Sequence, residues 1–263
     1  MSKITAIVNQ KGGVGKTTTA LNLSYALSEE GKKVLLIDFD PQASLTTALN
    51  VDSNKKPNIH TLITQIINEE DLDKNSIINI KENLDLIPST LDLAAIEMHL
   101  VNVISAEFLL KLIIDEVKDK YDNIIIDCSP SLGKLTVNAL AASNSVLIPV
   151  TPEYLSAKGL EMLADSIRKT KRMLNPHLTI DGILITMVNE RTNLAKQMIE
   201  VIHSSKDFIK SITGEEVKLF NTIIPISVKT GEAIANKKSI IEYDPRNKVS
   251  EAYQYFAWEW EEI

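Results

Sequence analysis

Short, continuous apolar runs alternate along the chain with longer segments whose apolar positions recur at helical spacing. The short runs are Ile4–Val8, Val34–Ile37, Leu84–Ile87, Asn123–Ile126, Val146–Val150, Ile180–Val188 and Val217–Ile224. Runs of this length, bounded by polar residues, suit strands buried on both faces. Between the first two, Ala20, Leu21, Leu23, Ala26 and Leu27 form one stripe over residues 17–28, which closes at Gly31, a residue suited to a helix C-terminus. Further helices are expected over 44–49, 59–69, 91–101, 108–118, 137–142, 151–172, 194–204 and 232–237, and from 246 onward. Buried strands alternating with helices predict an α/β fold: a doubly wound, mainly parallel sheet of seven to eight strands with helices on both faces. No repeat, low-complexity segment or linker interrupts the pattern, so residues 1–263 are expected to form one domain.

The first strand leads into Lys11-Gly12-Gly13-Val14-Gly15-Lys16-Thr17-Thr18, which opens the first helix. Strand, glycine-rich turn and helix is the setting in which a phosphate-binding loop works. Glycines let backbone N–H groups converge on one anion, and the helix N-terminus adds partial positive charge. Lys16 can reach terminal phosphates, and the Thr17 hydroxyl is a candidate Mg²⁺ ligand. The general pattern G-x-x-x-x-G-K-[ST] asks for glycine at position 10, where this chain has Gln10; it carries a second lysine, Lys11, instead. Strand Asn123–Ile126 ends in Asp127, which would present a carboxylate on the metal side of the phosphates. Asp38 and Asp40 follow the second strand, two residues apart and hence on one side of it. Doubly wound sheets bind ligands at the carboxyl ends of their strands, where all three lie.

Composition narrows the setting. No apolar run reaches the roughly 20 residues of a transmembrane helix, and with the first strand opening at Ile4 no signal peptide is expected. One cysteine excludes an internal disulfide and leaves no cysteine cluster for a metal. A cytoplasmic location is expected. Residues 1–150 hold 13 Lys/Arg against 19 Asp/Glu, whereas residues 151–248 hold 15 against 12. A nucleic-acid surface is therefore expected in the later part, as a local patch.

The loop with its extra lysine resembles the deviant Walker A motif, KGGxGKT, of the ParA/MinD superfamily. Asn9–Leu23 and Val34–Gln42 resemble the ParA/Soj partition ATPases almost residue for residue. So do Tyr121–Gly133, apart from Ser129 where proline is usual, and Arg191–Leu194, Ile240–Pro245 and Ala252-Tyr253. The resemblance implies ATP and Mg²⁺ as ligands and a homodimer in the ATP-bound state. It also implies non-specific DNA binding and hydrolysis that is weak until a ParB-type centromere-binding protein stimulates it, in a nucleoid-associated cytoplasmic protein. It places nucleotide on Lys11, Gly12, Gly13, Val14, Gly15, Lys16, Thr17 and Thr18, with adenine near Asn189 and Pro225. Metal would be held by Thr17, Asp38 and Asp127. Lys16 and Asp40 would be catalytic, Asp40 by orienting the attacking water. Lys11 would be catalytic by reaching across the dimer to the partner's phosphates. DNA would be contacted by Arg191 and Lys229. At Lys229 the family often has arginine, opening an Arg-Leu-Ser-Glu-Ala-Pro run that here reads Lys229-Thr230-Gly231-Glu232-Ala233-Ile234. With the loop starting at residue 11, no N-terminal helix-turn-helix domain is expected.

The alternative is a MinD-like positioning ATPase cycling on a membrane or protein scaffold. It would need a basic amphipathic C-terminal helix. Val249, Tyr253, Phe256 and Trp260 do recur at helical spacing, but Glu251, Glu259, Glu261 and Glu262 accompany them. Anionic headgroups repel such a helix, so it is expected to pack on the core, with no membrane partner.

Overall fold

A computed structural model describes residues 2–53, 55–100, 103–153, 156–189 and 193–263. The described strands make one sheet. In chain order they are β1 (Lys3–Ile7), β2 (Val34–Phe39), β3 (Ile78–Lys81), β4 (Leu84–Ile87), β5 (Asn123–Cys128), β6 (Ser145–Val150), β7 (Thr179–Val188) and β8 (Leu219–Pro225). Their spatial order is β3-β4-β2-β5-β1-β6-β7-β8. All neighbours are parallel except β3 and β4, which pair antiparallel. The expected doubly wound α/β sheet is thus observed, with eight strands.

Alternate residues of each central strand feed opposite layers. Leu35 and Ile37 of β2 and Ile124 and Ile126 of β5 face one core. That core holds α3 (Ile59–Ile67), α4 (Leu93–His99), α5 (Leu109–Asp115), α6 (Lys134–Ala142), α7 (Ser156–Met173) and α8 (Asn193–Thr213). Val34, Leu36 and Ile125 face the other. There lie α1 (Lys16–Glu29), α2 (Ser44–Ala48), α9 (Val228–Ala235), α10 (Ile240–Tyr243) and α11 (Lys248–Glu261). By the same alternation Asp38 and Asp127 fall on the α1 side of the sheet.

Several elements depart from the sequence reading, among them α10, which periodicity did not predict, and three whose cause is visible. Strand β3 reads Ile-Asn-Ile-Lys, a polar alternation rather than an apolar run, because it is an edge strand paired on one side only. Helix α8 continues past Ser204: Ser204 and Ser205 donate back to the carbonyls of Glu200 and Val201, and Ile209 carries the buried stripe onward. Helix α9 begins at Val228 rather than 232, since Ser227 caps it by accepting from the N–H of Lys229.

Helix α11 is a core element, as expected, but Glu259 is buried with the apolar residues, and Tyr255 and Trp258 share the exposed face with the other glutamates. Val249, Tyr253, Phe256 and Trp260 are buried. The Trp260 indole donates to Asp181 (2.7 Å), and Lys3 lies 3.8 Å above its ring. Among the described residues, no helix is long and apolar enough to cross a membrane.

Candidate nucleotide site

Residues 8–15 link β1 to α1 at the carboxyl end of the sheet. Gly13 (φ 73°) and Gly15 (φ 82°) take left-handed backbone conformations that side chains disfavour. Gly15 is also the N-cap of α1, and no side chain caps that helix, so its first N–H groups are left for an external anion. The loop is braced from two strands, β6 and β7. Asn9 donates to the Pro149 carbonyl (2.7 Å) and accepts from the N–H of Lys11 (2.9 Å). The Thr186 hydroxyl donates to the Val14 carbonyl (2.8 Å). Lys16 is 6% exposed and folds back to the Lys11 carbonyl (3.2 Å). Burial lowers its ammonium pKa, against the pull of Asp127 and Asp40.

The three aspartates are brought together but treated differently. Asp38 and Asp127 face one another in the β2–β5 register, both fully buried. Asp38 accepts from the Thr46 N–H (2.8 Å), the Thr46 hydroxyl (2.7 Å) and the Asp40 N–H (3.3 Å). Burial nevertheless pushes its carboxyl up to about 6, the three donors resisting. Neither oxygen of Asp127 has a hydrogen-bond partner. Burial raises its pKa well above the usual carboxylate range, and Asp38 adds to this, while the nearby Thr17 hydroxyl and Lys16 pull the other way. Asp40 lies just beyond β2, 9% exposed, and one of its oxygens accepts from the Gln42 N–H (2.9 Å). Among the described residues no three His, Cys, Asp or Glu side chains form a metal cage. The set instead fits Mg²⁺, which binds through one or two carboxylates and completes its shell with phosphate and water. Asp127 and Thr17 would hold it, with Asp38 behind them.

The remaining predicted residues lie farther out. Lys11 points away from its own loop into an ion pair with Glu153, with the Thr151 hydroxyl 3.5 Å from its ammonium. Asn189 follows β7 and Pro225 ends β8; Val188 and Pro225 are register partners, so the two predicted base contacts are adjacent. Lys229, near the start of α9, pairs with Glu232 (2.8 Å) and lies 6.0 Å from the Tyr243 ring centroid. Arg191 lies outside the described residues.

Sequence reasoning missed four residues here. Thr46 fixes Asp38, and Ser89 ties the region together by donating to the Asp40 carbonyl and, through its N–H, to Thr46 (both 2.8 Å). Glu153 holds Lys11, and Thr186 holds the loop. Ser and Thr at such positions carry no local signal; only the strand order brings them near.

A glycine-rich anion loop at the carboxyl ends of a doubly wound sheet, flanked by buried carboxylates, defines a P-loop nucleotide-binding protein. Residues 2–180 match the model of a family described as an AAA domain. The sporulation initiation inhibitor protein Soj of Bacillus subtilis is 46% identical over 96% of both chains. The chromosome-partitioning ATPase Soj of Treponema pallidum is 39% identical over 98% of this chain and 97% of its own. Among solved structures, cobyrinic acid a,c-diamide synthase from Mycobacterium smegmatis, with a bound ATP analogue and magnesium, superposes with a TM-score of 0.81. It is 29% identical over 98% of this chain and 93% of that one. The chain belongs to the ParA/Soj family of partition ATPases.

Proposed function

We propose that this chain binds ATP and Mg²⁺, hydrolyses ATP to ADP and phosphate, and uses the cycle to partition a plasmid or chromosome. The observation that carries this reading is Asp127. A fully buried carboxylate without a hydrogen bond is costly in a finished fold, and beside Lys16 and Thr17 it fits a cation-binding group. Gly12, Gly13, Val14, Gly15, Thr17 and Thr18 would cradle the phosphates, with Lys16 on the terminal ones and Asn189 and Pro225 at the base. Bound Mg²⁺ supplies positive charge that neutralises the phosphates. Asp40, with one oxygen on Gln42 and access to the surface, would orient the attacking water.

Lys11 would act across an ATP-bound homodimer. Its ion pair with Glu153 supports a residue not committed to its own loop. Exposed pairs of this kind are worth about 0–1 kcal/mol, so dimerisation could readily exchange it for a partner's phosphates. The ATP dimer would bind DNA non-specifically through Arg191 and Lys229, and hydrolysis, slow until a ParB-type protein stimulates it, would release it. The protein would then be cytoplasmic and nucleoid-associated. The decisive experiment is phosphate release and DNA co-sedimentation with wild type, Lys16→Ala and Asp40→Ala. Lys16→Ala should lose both activities, and Asp40→Ala should stay on DNA in ATP without turnover. Wild-type turnover in Asp40→Ala would remove its assigned role.

A further inference from the structure

Strand β7 breaks its own alternation beside the phosphate loop. Its register with β8 runs from Ile185 opposite Ile223 to Val188 opposite Pro225, three steps on β7 against two on β8, so β7 carries one extra residue. Met187 sits in that bulge with φ 55°. Among the described residues it is the one non-glycine residue within a strand that has positive φ. A side chain enters this left-handed region only against backbone strain. The bulge is not a frayed strand end. Pairing resumes at Val188, whose carbonyl accepts from the Ile226 N–H (3.0 Å).

Successive residues of a strand point to opposite faces, yet Thr186 and Met187 both reach the bare Cα of Gly15. A Cβ at Gly15 would stand 3.6 Å from the Met187 methyl and 3.8 Å from both Cβ and the hydroxyl oxygen of Thr186. Thr186 is buried and donates to the Val14 carbonyl. Met187 is 37% exposed and its thioether makes no hydrogen bond that needs the turn, so core packing does not account for the strain. Gly15 is itself left-handed and heads α1, whose first N–H groups no side chain caps. Two residues beyond Met187 stands Asn189, where the base is expected.

We propose that Met187 is a positioning residue for the nucleotide. The bulge sets its methyl and Thr186 side by side on Gly15, which fixes the direction of the α1 N–H groups before the polyphosphate arrives. Thr186 holds the loop by its hydrogen bond to Val14; Met187 supplies the apolar half of the grip. A thioether suits the task. It is unbranched at Cβ, flexible enough to reach across the bulge, and too weak an acceptor to compete with phosphate for those N–H groups. Strain in β7 is thereby exchanged for a preformed loop. The assignment rests on reading that loop as the ATP site and adds a residue to it from outside the motif.

The test uses the whole chain and three variants. Met187→Gly and Met187→Asn both accept a left-handed backbone and remove the apolar contact, so either carries the test if the other fails to fold. Met187→Leu keeps an apolar side chain unbranched at Cβ. Equilibrium titration with methylanthraniloyl-ATP and Mg²⁺ should show the Gly and Asn variants weakened about tenfold and the Leu variant within about threefold of wild type. In phosphate release, KM for ATP should rise by the same factor while kcat stays within about threefold, because Lys16 and Asp40 are untouched. Thermal melts without nucleotide separate this from a structural role: a lowered melting temperature with affinity within about twofold of wild type would overturn the assignment. So would a kcat that falls while KM holds, or a Leu variant as weak as the other two. Wild type that binds no nucleotide would sink the ATP site and this assignment together, whereas tight binding indifferent to residue 187 would sink this assignment alone.

Discussion

Asp38 and Asp127 lie opposite one another on adjacent parallel strands, both without exposed surface, yet only Asp38 has hydrogen-bond donors. One carboxylate is already satisfied within the fold; the other is left for something to arrive. A site of this kind holds stability in reserve for its ligand, and the two aspartates should respond oppositely to mutation.

Asp127→Asn should stabilise the nucleotide-free protein while abolishing hydrolysis. It replaces an unpartnered buried carboxyl, whose ionised form burial disfavours, with a neutral amide of the same shape, a change worth about 1 kcal/mol or roughly 2–4 °C in a chain of this size. Thermal melts without nucleotide, with and without Mg²⁺, together with phosphate release, check both halves. A melting temperature equal to or below wild type would remove the argument from the orphaned carboxylate.

Thr46→Val should do the reverse. It deletes the hydroxyl that donates to Asp38 and accepts from the Ser89 N–H, leaving two buried groups short of a partner. The expected cost is about 1–3 kcal/mol. Hydrolysis should fall with it, and Thr46→Ser should restore both, because only the hydroxyl matters. Denaturant melts and turnover of the two variants make the comparison.

Lys11 can be assigned to its own site or its partner's by mixing two inactive variants. In a dimer of Lys11→Ala with Asp40→Ala, a lysine acting across the interface leaves one site with both groups intact. A lysine acting on its own site leaves none. Random mixing gives heterodimers in half the population, so about a quarter of wild-type turnover is expected if the dimer is symmetric. Turnover no higher than the separate variants would assign Lys11 to its own loop.

Glu259 supplies a pH-dependent clamp on the sheet edge. Its carboxylate accepts from the N–H groups of Asn221 (2.7 Å) and Thr222 (2.9 Å) and from the Thr222 hydroxyl (2.8 Å). Burial pushes its pKa up, but these donors and Lys218 outweigh that, and the carboxyl sits below its usual value. A depressed folded pKa contributes stability above the unfolded value, and that contribution is lost as pH falls through the folded one. Glu259→Gln, which turns a donor toward a donor, should therefore cost about 1–3 kcal/mol at pH 7. The difference from wild type should shrink as pH drops below about 4. Melting temperatures at the two pH values decide it; a constant difference would show that the loss is steric.

The sequence by itself determined the sheet, the loop and the carboxyl ends on which the aspartates sit. Periodicity is local, so Ile4–Val8, the stripe from Ala20 to Leu27 and the aromatic spacing in α11 were legible without a partner in view. The glycines at 13 and 15 announced the left-handed turns they adopt. Tertiary structure decided which polar group meets which. Lys11 meets Glu153 across 142 residues, and Ser89 reaches back 49 residues to Asp40. Strand β3 acquired its place because only one side of it is paired. Nothing in Thr46 or Ser89 marks them as site residues until strand order sets β4 beside β2 and β2 beside β5. The physical reason is that burying apolar surface follows a pattern each segment carries alone, whereas satisfying a buried polar atom depends on the one neighbour that packing places within about 3 Å.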